Sequence, residues 1–251
     1  MRFVYNVITN LVIVTCELLL VALIAAIARY APIAFAIGTG VLTAMLGLWL
    51  ERRRLAHELP FYFEEKWSGR TFGVELLALG TALFKGLIAA FITVLTFSGT
   101  DAARLDIIAL VFAAGVFAGS SLLRRLSISF GASPSRWGFF RLATPLGLIY
   151  AQIIALLVVL GVLDQADVLT TLRQAIFDLP ERPSIEQASE FLFRIEQLYD
   201  AFIQQIVALV IPEGYAMFVS ALLSVKVLSG FVIAIYAVIV AEAVRFLEDN
   251  S

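Results

Sequence analysis

Residues 76–95 read LLALGTALFKGLIAAFITVL, a run in which Lys85 is the one charged side chain. About 20 such residues, coiled as a helix with about 1.5 Å rise per residue, reach across about 30 Å of hydrocarbon. Apolar residues gathered in runs this long mark membrane spans rather than a large soluble core. Six stretches qualify: 7–28, 33–50, 73–97, 107–123, 142–163 and 215–244. Pro32 precedes the second and Pro145 lies in the first turn of the fifth, where a missing N–H costs nothing. Composition agrees, with 61% hydrophobic and 15% charged residues against about 45–50% and about 25% in soluble domains. The expected fold is all-α, a polytopic membrane helix bundle of six transmembrane helices plus one amphipathic, partly re-entrant outer helix. It forms a single transmembrane domain over 1–251.

Arg2, the first apolar run and Ala26-Ile27-Ala28 resemble a secretory signal with its cleavage site. The run is longer than such signals and carries Glu17, so it reads as a retained first span.

Lys and Arg in short loops set orientation. Arg52, Arg53, Arg54, Lys66 and Arg70 fall between spans two and three, and Arg124, Arg125, Arg136 and Arg141 between spans four and five. Six spans put both loops on one side with both termini. The segment 164–202 has eight acids against three arginines and falls on the other side. A cytoplasmic (inner) membrane location follows, with cytoplasmic N- and C-termini and an acidic extracytoplasmic segment at about 164–205. Phe61, Tyr62, Phe63, Trp67, Trp137, Phe139 and Phe140 suit the headgroup layer.

Within the outer segment, Ser184-x-x-Gln187 after Pro183 is a capping box. Ile185, Ala188, Phe191/Leu192, Ile195, Leu198/Tyr199 and Phe202 then recur at helical spacing. Beyond Phe202 the polar face disappears, and the run ends at Pro212-Glu213-Gly214. The pattern predicts a helix from about 185 that dips into the bilayer, its broken end covered by protein or water. Ala78, Ala82, Gly86 and Ala90, with Ala36, Gly40 and Ala44, and with Gly115 and Gly119, form small-residue faces for close helix packing.

Charges at mid-membrane depth cost about 2.5–3.5 kcal/mol each and usually face protein or water. Glu17, Lys85 and Lys226 qualify; Glu75 lies one turn inside span three, Glu213 at the outer break and Glu242 near the end of span six. Two readings stand side by side. Glu17 pairs with Lys85 or Lys226 as a structural lock, or these residues line a path for a proton, ion or small solute. Two lysines against one deep carboxylate leave a surplus positive charge, which is odd for a purely structural pair.

Enzyme chemistry is not expected. His57 is the single histidine and lies in a loop, Cys16 is the single cysteine, and neither HExxH nor a phosphate-binding GxxxxGK[ST] occurs. Tyr199-Asp200 lacks the GxGD partner of intramembrane aspartyl proteases. No metal or cofactor site is expected, and no basic tract suits nucleic acid. The lipid bilayer is one expected partner, with other membrane subunits or a homo-oligomer as the protein partners.

The fifth span, an outer helix, a break and a long final helix carrying Gly230 resemble, over roughly 142–248, the pore module of six-span cation channels. The filter sequence TVGYG is absent, the break reading Val210-Ile211-Pro212-Glu213-Gly214-Tyr215, so no residue's role carries over. The functional expectation is a channel or transport component moving a small ion or solute. The alternative is a non-catalytic scaffold or anchoring subunit of a membrane complex.

Overall fold

The computed structural model describes residues 2–62, 70–163 and 184–249. The first half of the acidic segment, with Phe63, Lys66 and Trp67, lies outside them. Every regular element among the described residues is helical. The order is α1 (Arg2–Tyr30), α2 (Pro32–Tyr62), α3 (Arg70–Thr96), α4 (Ala102–Phe130), α5 (Pro134–Arg141), α6 (Ala143–Val159), α7 (Ile185–Ala208), α8 (Glu213–Ala221), a 3-10 turn (Val225–Leu228) and α9 (Ser229–Asp249). Five helical stretches are long and apolar enough to cross a membrane: Asn10–Tyr30, Pro32–Glu58, Phe72–Thr96, Ala102–Phe130 and Val225–Glu248. The pair α5 and α6, bent by 56°, makes a sixth when counted as one. The chain is an all-α, multi-span membrane protein.

Local chemistry places most helix ends. Asp101 caps α4, accepting from the backbone N–H of Ala103 and Arg104, and Gly131 at φ 64° closes it in the left-handed conformation that costs glycine little. The Ser184–Gln187 capping box opens α7 with both of its hydrogen bonds present. Pro60 does not stop α2, which runs on to Tyr62.

Span six departs from expectation. The stretch 215–244 is not one helix: α8 ends at Ala221, and Ser224 is extended at ψ 148° with its Oγ accepting from the Lys226 N–H. A serine that offers the backbone a local hydrogen bond competes with the helical ladder. Gly230 is therefore the second residue of α9 rather than a mid-helix bend. It meets Gly147 of α6, backbone against backbone, at a crossing where a Cβ on either residue would collide with the other helix.

The predicted small-residue faces are used inside the chain. A Cβ on Gly86 would lie 2.7 Å from the Gly40 carbonyl oxygen and 3.1 Å from the Ala44 Cβ, so α2 and α3 pack in near-contact. Gly115 and Gly119 similarly face Ile233 and Ala237 of α9. That helix is the centre of the bundle, packed by α1, α3, α4, α5 and α6. Val232, Ile233, Ala234, Ile235 and Ala237 are all fully buried, as a helix apolar all round must be. Phe35 stacks on Tyr236 at 4.9 Å between centroids, Phe97 and Phe112 close the cluster edge-on, and Thr39 Oγ1 hydrogen-bonds the Tyr236 hydroxyl at 2.9 Å.

α7 turns part of its apolar stripe outward, with Phe191, Leu192 and Leu198 half-buried. Ile195, Tyr199, Phe202 and Ile206 are exposed, whereas Glu196 is buried at 6%. In water this orientation would be unfavourable; against lipid it is the favoured one, because hydrocarbon solvates the stripe and protein shelters the carboxylate.

A charged cavity between α4, α6, α7 and α8

A cavity of about 130 Å³ opens at the end of the bundle away from the arginine-rich loops. This is room for about four waters at about 30 Å³ each. Its polar wall comes from Arg104 of α4, Tyr150 of α6, Glu196 and Asp200 of α7, and Ser224 and Lys226 of the turn ahead of α9. Ile108, Ile154, Ala151 and Met217 supply its apolar wall.

The position of each charge follows from its element. The break after Ala221 points Lys226 back towards α7, where its Nζ lies 3.2 Å from Glu196 Oε1 and also contacts Asp200 Oδ2. Asp200 accepts a second hydrogen bond, at 2.7 Å, from the Ser224 hydroxyl. Arg104 donates to the Ser98 carbonyl at 2.7 Å and lies 3.6 Å over the Phe193 ring. Glu196 Oε2 is buried without a hydrogen-bond partner among the described residues. Gln152 Nε2 ties α6 to α8 through the Phe218 carbonyl at 2.8 Å. Among the described residues no three His, Cys, Asp or Glu side chains converge as metal ligands.

The other predicted site residues lie elsewhere. Glu17, 2% exposed, does not meet Lys85; it accepts from Ser120 Oγ at 2.5 Å and from Ser121 Oγ at 3.4 Å, with Arg124 at 4.0 Å. Arg124 also pairs with Glu248. Lys85 pairs with Glu51 of α2, and its Nζ lies 5.2 Å over the rings of both Phe139 and Phe140. Side chains on a helix tilt towards its N-terminus, so Lys85 reaches down α3 to Glu51. Glu75 pairs with Arg52 at 3.0 Å near the surface. Glu242 accepts from the Ser135 N–H at 3.0 Å and so caps α5. Glu213 is the first residue of α8; its side chain lies outside the described residues.

No protein-family model, no curated protein and no solved structure matches this chain.

The surplus positive charge expected from sequence does not exist. In sequence Glu51 falls just past the 33–50 apolar run, and Glu196 and Asp200 fall in the acidic outer segment. The long α2 and the inverted α7 carry all three to the lysines. Of Glu17, Lys85 and Lys226, only Lys226 lines the cavity. Along α4 the order is Arg104 and Ile108 at the cavity, then buried Phe112 and Val116, then Ser120 and Arg124 beside Glu17. The same apolar layer interrupts α9 between Ser229 and Glu242. The cavity is thus a one-sided vestibule, sealed by packed side chains from the Glu17 and Lys85 pairs.

Proposed function

We propose that this chain is a membrane-embedded transport component that admits a small polar solute into the cavity. The observation that carries this reading is the charge-lined vestibule, set against the packed apolar layer of Phe112, Val116 and Val232 among the described residues. Charged groups held within a membrane domain typically mark a substrate or ion pathway. The seal formed by Phe112, Tyr236 and Val232 corresponds to a state closed on one side. Arg52, Arg53, Arg54, Arg124 and Arg125 gather at the other end of the bundle, which makes that end cytoplasmic by the positive-inside rule and the vestibule extracytoplasmic. Both termini are then cytoplasmic in an inner membrane.

A test needs no knowledge of the solute. In a Cys16→Ser background, Ser220→Cys places a thiol in the cavity wall. A transport component must expose that thiol to impermeant thiol reagents from each side of the membrane in turn. Labelling confined to the vestibule side under all conditions would sink the reading. One observation favours the scaffold alternative: Glu17, Lys85 and Lys226 all have partners, as structural locks do. That alternative expects one-sided labelling together with co-purification of unrelated membrane chains.

A further inference from the structure

Resting on the transport reading, we propose that the vestibule binds a small zwitterion, an amine–carboxylate compound with a short apolar body. Its ammonium group meets Glu196 Oε2 and its carboxylate meets Arg104. The first support is an unmet acceptor: Glu196 is buried at 6% exposure, lines the cavity, and spends only Oε1 on Lys226. A buried carboxylate oxygen without a donor is costly, and an N–H donor from a ligand removes that cost.

The second support is an under-used donor. Among the described residues, the Arg104 guanidinium hydrogen-bonds only the Ser98 carbonyl, although its planar fork offers five N–H groups shaped for carboxylate. Stacking on Phe193 fixes the plane of that fork.

Charge balance then selects the ligand class. Arg104 and Lys226 offset Glu196 and Asp200, so the wall is neutral as a set. In a low-dielectric site, a net cation or anion would add an uncompensated charge. A zwitterion adds none and satisfies both ends. Ile108, Ile154 and Met217 receive the apolar body, and the cavity volume of about 130 Å³ keeps it small.

The experiment is calorimetric titration of the purified full chain with three probes of similar shape: L-valine, isobutylamine and isobutyrate. L-Valine is expected to bind at least about tenfold tighter than either one-charge analogue, the loss of one charge-assisted pair. Glu196→Gln, nearly isosteric, is expected to weaken L-valine by about tenfold or more, whereas Glu58→Gln, whose carboxylate pairs with Arg54 at the far end of the bundle, leaves it unchanged. Equal binding of isobutylamine would make this a cation site, and equal binding of isobutyrate an anion site. No heat from any probe up to about 100 mM, well above the mM range of weak ligands, would leave the cavity to water. Each of these three outcomes overturns the proposal, and the comparison among probes on the unmodified protein does not depend on any variant folding. L-Valine binding with one-sided thiol labelling would uphold the ligand and sink transport; two-sided labelling with no binding would do the reverse.

Discussion

Glu196 Oε1 lies 3.2 Å from Lys226 Nζ, while Oε2 of the same carboxylate has no hydrogen-bond partner among the described residues. The pair joins α7 to the turn ahead of α9, and Asp200 shares the same ammonium. One lysine thus contacts two carboxylates that the fold draws inward, and Arg104 in the same wall supplies the second positive charge. Removing the lysine leaves one negative charge in surplus. Lys226→Met is expected to destabilise the protein by about 3 kcal/mol, the range for breaking a buried pair from one side. Lys226→Arg, which keeps the charge, should cost less. Thermal unfolding in detergent, followed by circular dichroism, measures both; equal stability of Lys226→Met and wild type would contradict the arrangement.

The partner of Lys85 is open to a double-mutant cycle. Lys85→Met and Glu51→Gln should couple by about 1–3 kcal/mol, because the groups touch. Lys85→Met and Glu17→Gln should add to within about 0.5 kcal/mol, because they share no partner. Coupling in the second cycle and none in the first would restore the Glu17–Lys85 pair.

Close packing of α2 on α3 makes Gly86 intolerant of size. Gly86→Val pushes a side chain towards the Gly40 carbonyl, and overpacking of this kind costs about 1–3 kcal/mol. Gly80 of the same helix has open space where its Cβ would be. Gly80→Ala should be neutral or stabilising by up to about 1 kcal/mol, the helix-propensity difference. The contrast between the two midpoints is the measurement.

The outward stripe of α7 should face lipid. Nitroxide labels at Phe202→Cys and Ile206→Cys, in a Cys16→Ser background, are expected to be accessible to dissolved oxygen and shielded from a water-soluble nickel chelate. Labels preferring the chelate would place this face in water.

Ser224 both caps the 3-10 turn and holds Asp200. Ser224→Ala should cost about 1–2 kcal/mol, the sum of a cap and a hydrogen bond. An unchanged unfolding midpoint would show that the break between α8 and α9 is held by packing alone.

Much of this architecture could be read along the chain. Apolar runs of sufficient length locate the membrane helices, Ser184 and Gln187 announce the start of α7, and Pro212 announces its end. Small residues at fourfold spacing mark the α2–α3 seam. Each of these signals is local, because a helix must satisfy its own backbone and lipid rewards unbroken apolar length. The break at Ser224 was not legible, since apolar residues continue through it and only a side-chain hydrogen bond diverts the backbone.

The identities of the ion pairs belong to the tertiary structure. Which carboxylate meets Lys85 depends on the register and azimuth of α3 against α2, and on how far a lysine reaches down its own helix. Whether Glu196 and Asp200 face water or a cavity depends on which way α7 rotates against its neighbours. Sequence by itself determined that this chain crosses a membrane as helices and carries charges that need shelter. Only packing decided who shelters them, because burial and pairing are set by residues that are far apart in sequence and meet once the bundle has closed.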